Sequence, residues 1–206
     1  EFLFKRAIHK HFADVNFDLI LYSTPPITLM GVVKDMKKRN PKAKSYLLLK
    51  DIFPQNAVDL GMMSKSGVKG VLYKFFRNKE KKLYALSDHI GCMSPANAGY
   101  LVDNNPDVDR SKVEVNPNSI RILPEENAGD GSEVLRKYGL PEDRPVFIYG
   151  GNLGEPQGIP FLIKCLDANK DRSDCHFLIV GAGTYYDELA GWYDDNRGGA
   201  VTIMKG

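Results

Sequence analysis

Along the chain, short apolar runs alternate with stretches in which apolar residues return every third or fourth position. Residues 17–22 (FDLILY), 45–49, 89–93, 113–115, 146–149 and 176–180 read as strands, and the closing VTIMKG reads as another. Leu29, Val32, Val33 and Met36 share one face of a helix over residues 28–39, which Asn40-Pro41 stops. Ser94 followed by Pro95 is an N-cap with proline at the first helical position, opening a helix to about Val102. Further helices are expected over 65–87, near 132–138 and over 185–193. Strand alternating with helix predicts an α/β protein with parallel, doubly wound sheets.

Residues 145–166, PVFIYGGNLGEPQGIPFLIKCL, organise the rest. The run 146–149 reads as a strand buried on both faces, and a glycine turn follows it directly. Gly150, Gly151 and Gly154 let the chain bend sharply and present bare backbone N–H groups. Ile159, Leu162, Ile163 and Leu166 then form the apolar face of a helix expected to begin near Gln157. Strand, glycine turn and helix start together make an anion site, because the first helical N–H groups are unpaired and the dipole is positive there. A purely structural tight turn is the competing reading. Gly181-Ala182-Gly183-Thr184 repeats the arrangement after the next strand, and two such junctions at one sheet edge point to a nucleotide and its phosphates. Neither GxGxxG nor GxxxxGK[ST] is present, which disfavours hydride transfer and NTP hydrolysis.

Charge divides the chain. Residues 1–122 hold 20 Lys and Arg against 12 Asp and Glu, whereas residues 123–206 hold 8 against 14. The change of sign coincides with RILPEENAGDGSE, residues 121–133, which has the composition of a linker; two domains, 1–122 and 123–206, are therefore expected. Within the first, residues 65–87 carry seven basic residues and the single acid Glu80. On a helical wheel Val68, Leu72, Phe75, Phe76, Leu83 and Leu86 fall on one side, expected to pack on the sheet. Lys69, Lys74, Arg77 and Lys81 fall on the other, available to water or to anionic headgroups. Nucleic acid is disfavoured, since no aromatic residues interleave with these cations.

Asp51 follows a strand's carboxyl end, where open α/β sheets bind ligands, although position alone favours a turn-capping role over a catalytic one. Cys92, Cys165 and Cys175 lack metal-ligand spacing and read as reduced core thiols. The four histidines form no cluster, so no metal is expected. No apolar run reaches the ~18 residues of a membrane span, and the start carries no signal-peptide pattern. Its opening residues, EFLFKRAIHKHFADVNFD, read as the interior of a domain.

With these pieces in order, the chain resembles glycosyltransferase family 4, the retaining enzymes of GT-B fold, and within it the bacterial members that build capsule, O-antigen or colanic-acid repeat units. The resemblance runs through DLILYSTPP, LKDIFPQNAVDLGM, HIGCMSP, VNPNSI, IYGGNLGEPQG and FLIVGAGTYYDEL, of which DIFPQNAVDLGM and GGNLGEPQG are the specific segments. It implies two Rossmann-like units facing across a cleft, both incomplete: an acceptor-side domain missing its beginning and a donor domain missing its end. It further implies that Gly150, Gly151, Asn152, Gly154 and Gln157 line a donor diphosphate, that Gly181 and Gly183 approach the nucleotide, and that Asp51 serves on the acceptor side. Asn152 and Gln157 stand near places where many members carry an arginine and a lysine. The implied reaction moves a sugar from a nucleotide-diphosphate donor, of the UDP-N-acetyl-aminosugar type, to a glycan or polyprenyl-linked acceptor without metal or cofactor. Its implied place is the cytoplasm, peripheral on the inner membrane face. A sugar-nucleotide epimerase of the same fold and a non-catalytic nucleotide-binding module are the alternatives, and the fragment alone is expected to be inactive.

Overall fold

The computed structural model describes residues 1–122 and 131–206. The linker expected over 121–133 therefore lies largely outside the described residues. The chain divides into two compact units, Glu1–Ile120 and Arg121–Gly206.

The first unit runs α1 (Phe2–His11), β1 (Leu19–Thr24), α2 (Met30–Arg39), β2 (Lys44–Leu49), α3 (Gln55–Asp59), α4 (Gly67–Leu86), β3 (His89–Cys92), α5 (Pro95–Asp103) and β4 (Val113–Val115). All four strands are parallel, in the order β1-β2-β3-β4. Neither α1 nor α3 is among the elements expected from the pattern. α1 buries no residue and leaves Phe2, Leu3 and Phe4 exposed; His9 Nε2 meets Asp35 of α2 at 2.6 Å.

Local signals end the helices where the sequence places them. Asn40 closes α2, its backbone N–H and side-chain amide both donating to the Met36 carbonyl at 2.9 and 3.0 Å. Its Oδ1 accepts from the Phe17 N–H at 2.8 Å, which fastens the approach to β1. Ser94 caps α5 by accepting from the Asn97 N–H at 3.2 Å, with Pro95 in the first turn. Lys37 of α2 reaches Asp88, at the entrance to β3, at 2.8 Å. The same carboxylate oxygen accepts the Ser45 N–H of β2 at 2.8 Å. One carboxylate thus joins a helix to two strands.

Strand order follows chain order without reversal, and this has a packing consequence. A right-handed crossover that always steps the same way lays every connecting helix on the same face. Val33 of α2, Leu83 and Tyr84 of α4 and Leu101 of α5 accordingly cluster with Tyr22, Leu47, Leu49, Ile90 and Cys92, which share one side of the sheet in register. On the other side Leu19 and Leu21 remain more than half exposed. The doubly wound layering expected from alternation is not realised among the described residues, because it requires the strand order to reverse.

The long helix also differs from expectation. Its inward face is Gly70, Arg77, Glu80, Leu83 and Tyr84: the Glu80 carboxylate accepts from Arg77 at 2.7 Å and from the Tyr84 hydroxyl at 2.5 Å. Arg77, expected among the outward cations, also donates to Asn105 at 2.6 Å. Val68, Leu72 and Phe75, expected against the sheet, face outward and are exposed. The wheel fails here because a buried, hydrogen-bonded ion pair holds the inner face in the helix's second half.

The second unit runs α6 (Gly131–Lys137), β5 (Val146–Asn152), α7 (Ile159–Asp167), β6 (His176–Ala182), α8 (Tyr186–Asp195) and β7 (Val201–Lys205), with a parallel sheet ordered β5-β6-β7. Leu153, Ile159, Leu166, Ile179, Leu189 and Val201 form its core. β5, expected to be buried on both faces, is an edge strand with Phe147 57% and Ile148 67% exposed. Of the three cysteines Cys92 and Cys175 are buried, and burial pushes the Cys92 thiol up to about 11; Cys165 lies exposed on α7 and is not a core thiol. Among the described residues no helix is long and apolar enough to cross a membrane.

The Asp88 junction makes stability pH-dependent in a definite window. Partial burial alone would raise its carboxyl, but the hydrogen bonds from Lys37 and Ser45 and the lysine charge outweigh it and hold the group at about 2. A lowered folded-state pKa stabilises the fold above the ordinary value of 3.8 and loses that contribution as pH falls through about 2. Asp88→Asn should melt below the parent protein at neutral pH, with the difference closing in that acid window when thermal melts are followed by circular dichroism.

Candidate functional site

In the second unit the two glycine turns are neighbours by register. Gly151 of β5 pairs with Gly181 of β6, and Gly181 pairs with Lys205 of β7, so the three occupy one row at the carboxyl edge of the sheet. Leu153, fully buried, bridges the turns: its N–H donates to the Ala182 carbonyl at 2.9 Å and its carbonyl accepts the Tyr185 N–H at 2.9 Å.

This contact explains two of the glycines. A Cβ on Gly181 would lie 2.1 Å from the Gly151 carbonyl oxygen, and one on Gly183 would lie 2.4 Å from the Leu153 carbonyl oxygen. Both lack side chains because one turn packs directly on the other. Gly150 and Gly151 differ. A Cβ on Gly150 would meet nothing within 4 Å, and one on Gly151 only the Tyr149 hydroxyl at 3.9 Å. These two leave bare backbone facing open space.

Beyond the first turn the helix starts later than Gln157. Glu155–Gln157 forms a single 3-10 turn, Gly158 adopts a left-handed φ of 63°, and α7 begins at Ile159. The Gln157 and Gly158 N–H groups donate within that turn, and Pro156 and Pro160 have none to offer. The anion site expected at this helix start is correspondingly reduced. Gln157 Oε1 accepts from the Gly154 N–H at 3.2 Å and from Asn152 Nδ2 at 3.1 Å, while the Asn152 carbonyl accepts from the Tyr149 hydroxyl at 2.7 Å. Asn152, Gly154 and Gln157 are thus brought together, and their polar groups brace the turn.

Across from it, Glu155 accepts a short hydrogen bond from the Tyr185 hydroxyl, which raises that phenol above its ordinary value. Asp187 and Glu188 occupy the first turn of α8 and complement its dipole from within the chain. Lys205 supplies positive charge at this edge, its Nζ 5.0 Å from the centre of the Tyr186 ring at the start of α8. Sequence reasoning passed over it, since VTIMKG shows only a strand; the signal is a cation at a strand's carboxyl end whose neighbour in register is a glycine.

Asp51 belongs to the first unit, in the loop after β2, where Thr24 Oγ1 donates to its backbone carbonyl at 3.4 Å. It lines a depression of about 410 Å³ with Lys50, Gln55, Asn97 and Tyr100. Carboxylate, amides, ammonium and phenol around one open hollow suit a ligand bearing several hydroxyl groups. Among the described residues no group of three or more His, Cys, Asp and Glu side chains could hold a metal ion.

Solved structures share this architecture. HepE from Anabaena, in complex with UDP-glucose, superposes with a TM-score of 0.64 at 13% identity, over 98% of this chain and 50% of that one. WaaG, a glycosyltransferase involved in lipopolysaccharide biosynthesis, gives 0.54 at 13% identity over 84% of this chain and 51% of its own. TarM gives 0.54 at 12% identity over 98% and 35%. The fold is that of the GT-B glycosyltransferases. The chain spans about half the length of HepE. No family model matches the sequence, and no curated protein matches it.

The packing of one turn on the other yields a stability test. Gly183→Ala forces a methyl group against the Leu153 backbone and should cost ~1–3 kcal/mol, as overpacking does, whereas Gly150→Ala should leave the melting temperature of the chain unchanged.

Proposed function

We propose that this chain is part of a glycosyltransferase that takes a sugar from a nucleotide-diphosphate donor of the UDP-N-acetyl-aminosugar class. The observation that carries the reading is the row Gly151, Gly181, Lys205, with open backbone at Gly150 and Gly151, at the carboxyl edge of a sheet in a GT-B fold. HepE, of the same fold, was solved with UDP-glucose and with UDP.

In this reading the donor diphosphate lies against Gly150 and Gly151, where no side chain intervenes, and Lys205 provides the cation that Asn152 and Gln157 do not. Gly181 and Gly183 serve by keeping the two turns in contact. As the bond to the sugar breaks, charge builds on the leaving diphosphate, and fixed N–H dipoles and an ammonium stabilise it without reorganising. The acceptor, a glycan or polyprenyl-linked sugar of a bacterial surface polysaccharide, binds at the hollow beside Asp51. That carboxylate accepts a hydrogen bond from the acceptor hydroxyl. Transfer proceeds with retention, at the cytoplasmic face of the membrane, and requires no metal or cofactor.

Calorimetry with UDP, GDP and NAD tests the donor site. UDP should bind, and Gly150→Val should abolish binding while leaving the melt unchanged, because its side chain fills only the space reserved for the ligand. Preference for NAD, or an unaltered affinity in Gly150→Val, would refute the site. Lys205→Met should lower UDP affinity about ten-fold, the worth of a hydrogen bond to a charged group, and leave uridine binding as it was.

A further inference from the structure

The hollow beside Asp51 is lined by residues of the first unit alone, drawn from the segment after β2 and from α5. Its charged groups are Asp51 and Asp59 against Lys50, so carboxylate outweighs ammonium. Asp59 is held in place: Gln55 Nε2 donates to its Oδ1 at 2.6 Å from one turn earlier in α3. Tyr100 borders the same space. Burial, followed by neighbouring groups that include Asp59, raises its phenol above the ordinary value, so the ring contributes a hydroxyl and no charge. Among the described residues, Gln55 Oε1 and Asn56 Oδ1 are buried without a hydrogen-bond partner, and both side chains line the hollow. A buried acceptor without a donor is costly. Turning the Asn56 amide toward the hollow forfeits no bond to that oxygen.

We propose that this hollow admits a neutral, hydroxyl-bearing sugar and excludes one that carries a carboxylate or phosphate. The inference rests on the reading of the hollow as the acceptor site and adds to it the class of sugar that enters. Acceptor atoms outnumber donors on the walls: two carboxylates and two unpartnered amide oxygens stand against one ammonium and one phenol. Such oxygens need hydrogens from the ligand, and sugar hydroxyls supply them in number. An acidic substituent instead brings further acceptors and negative charge up to Asp51 and Asp59, and like charges set together discriminate strongly against a wrong partner. Because Gln55 holds Asp59, that carboxylate cannot swing away from an incoming anion without breaking a hydrogen bond. Asp59 is therefore the specificity-determining residue, and Asn56 offers the sugar an acceptor. A polyprenyl-linked acceptor enters by its sugar, and its diphosphate stays outside.

Nitrogen-15 correlation spectra of the chain are titrated with three pairs of compounds that differ in one acidic group: methyl glucoside and methyl glucuronoside, methyl galactoside and methyl galacturonoside, N-acetylglucosamine and its 6-phosphate. At least one neutral member should bind and shift amides within residues 50–59 and 96–100, which line the hollow; its acidic partner should bind at least ten-fold more weakly. Asp59→Asn keeps an oxygen for Gln55 and removes the charge. It should tighten binding of the acidic partner about five-fold, as expected for like charges a few ångströms apart in a solvated recess, with little change for the neutral sugar. Asn56→Ala should weaken the neutral sugar about five-fold yet melt at or above the parent, since the oxygen it removes has no partner to lose. Acidic members that bind as tightly as their neutral partners, failure of all three neutral sugars to shift those amides, or an Asp59→Asn protein that discriminates as the parent does, overturns the inference. UDP is titrated into the same samples. UDP binding without sugar binding overturns this inference and leaves the donor site standing, whereas sugar binding without UDP binding refutes the donor site and leaves a neutral-saccharide site in the first unit.

Discussion

Each sheet is built by connections that step in one direction only, and the handedness of parallel crossovers converts that order into layering. In the first unit this order gathers Val33, Leu83, Tyr84 and Leu101 on one side of the sheet and leaves Leu19 and Leu21 half-exposed on the other. It also puts the carboxyl ends of successive strands side by side. That adjacency brings Gly151, Gly181 and Lys205, well separated in sequence, into one row.

Within that row Leu153 sets the spacing. Its buried side chain and two backbone hydrogen bonds hold the first turn on the second, and the absence of side chains at Gly181 and Gly183 makes so close an approach possible. The glycines thus divide by physical role: two accommodate backbone against backbone, and two, Gly150 and Gly151, leave backbone uncovered. Polar side chains beside them brace the loop, which leaves charge at this edge to Lys205 opposite Glu155, Asp187 and Glu188.

α4 shows how a buried charge redirects a helix. Glu80, Arg77 and Tyr84 satisfy one another on the inner face, where an unpaired carboxylate would be costly, so that face cannot also hold Val68 and Phe75. The helix turns its apolar stripe outward as a consequence, and the first unit displays cations and apolar groups on one surface.

The sequence alone determined most of what is local. Strand and helix alternation, the Asn40 and Ser94 caps, the short β4 and the two glycine turns depend on neighbours a few residues away, and each is read from spacing and residue type. Boundaries moved by two residues where turn chemistry intervened, as at Ile159 after the 3-10 turn. Only the tertiary structure decided which strand lies beside which, and therefore which faces are covered, which way α4 turns, which glycines are structural and that Lys205 stands next to Gly181. Those outcomes rest on contacts between residues tens of positions apart, which periodicity within a single element does not encode.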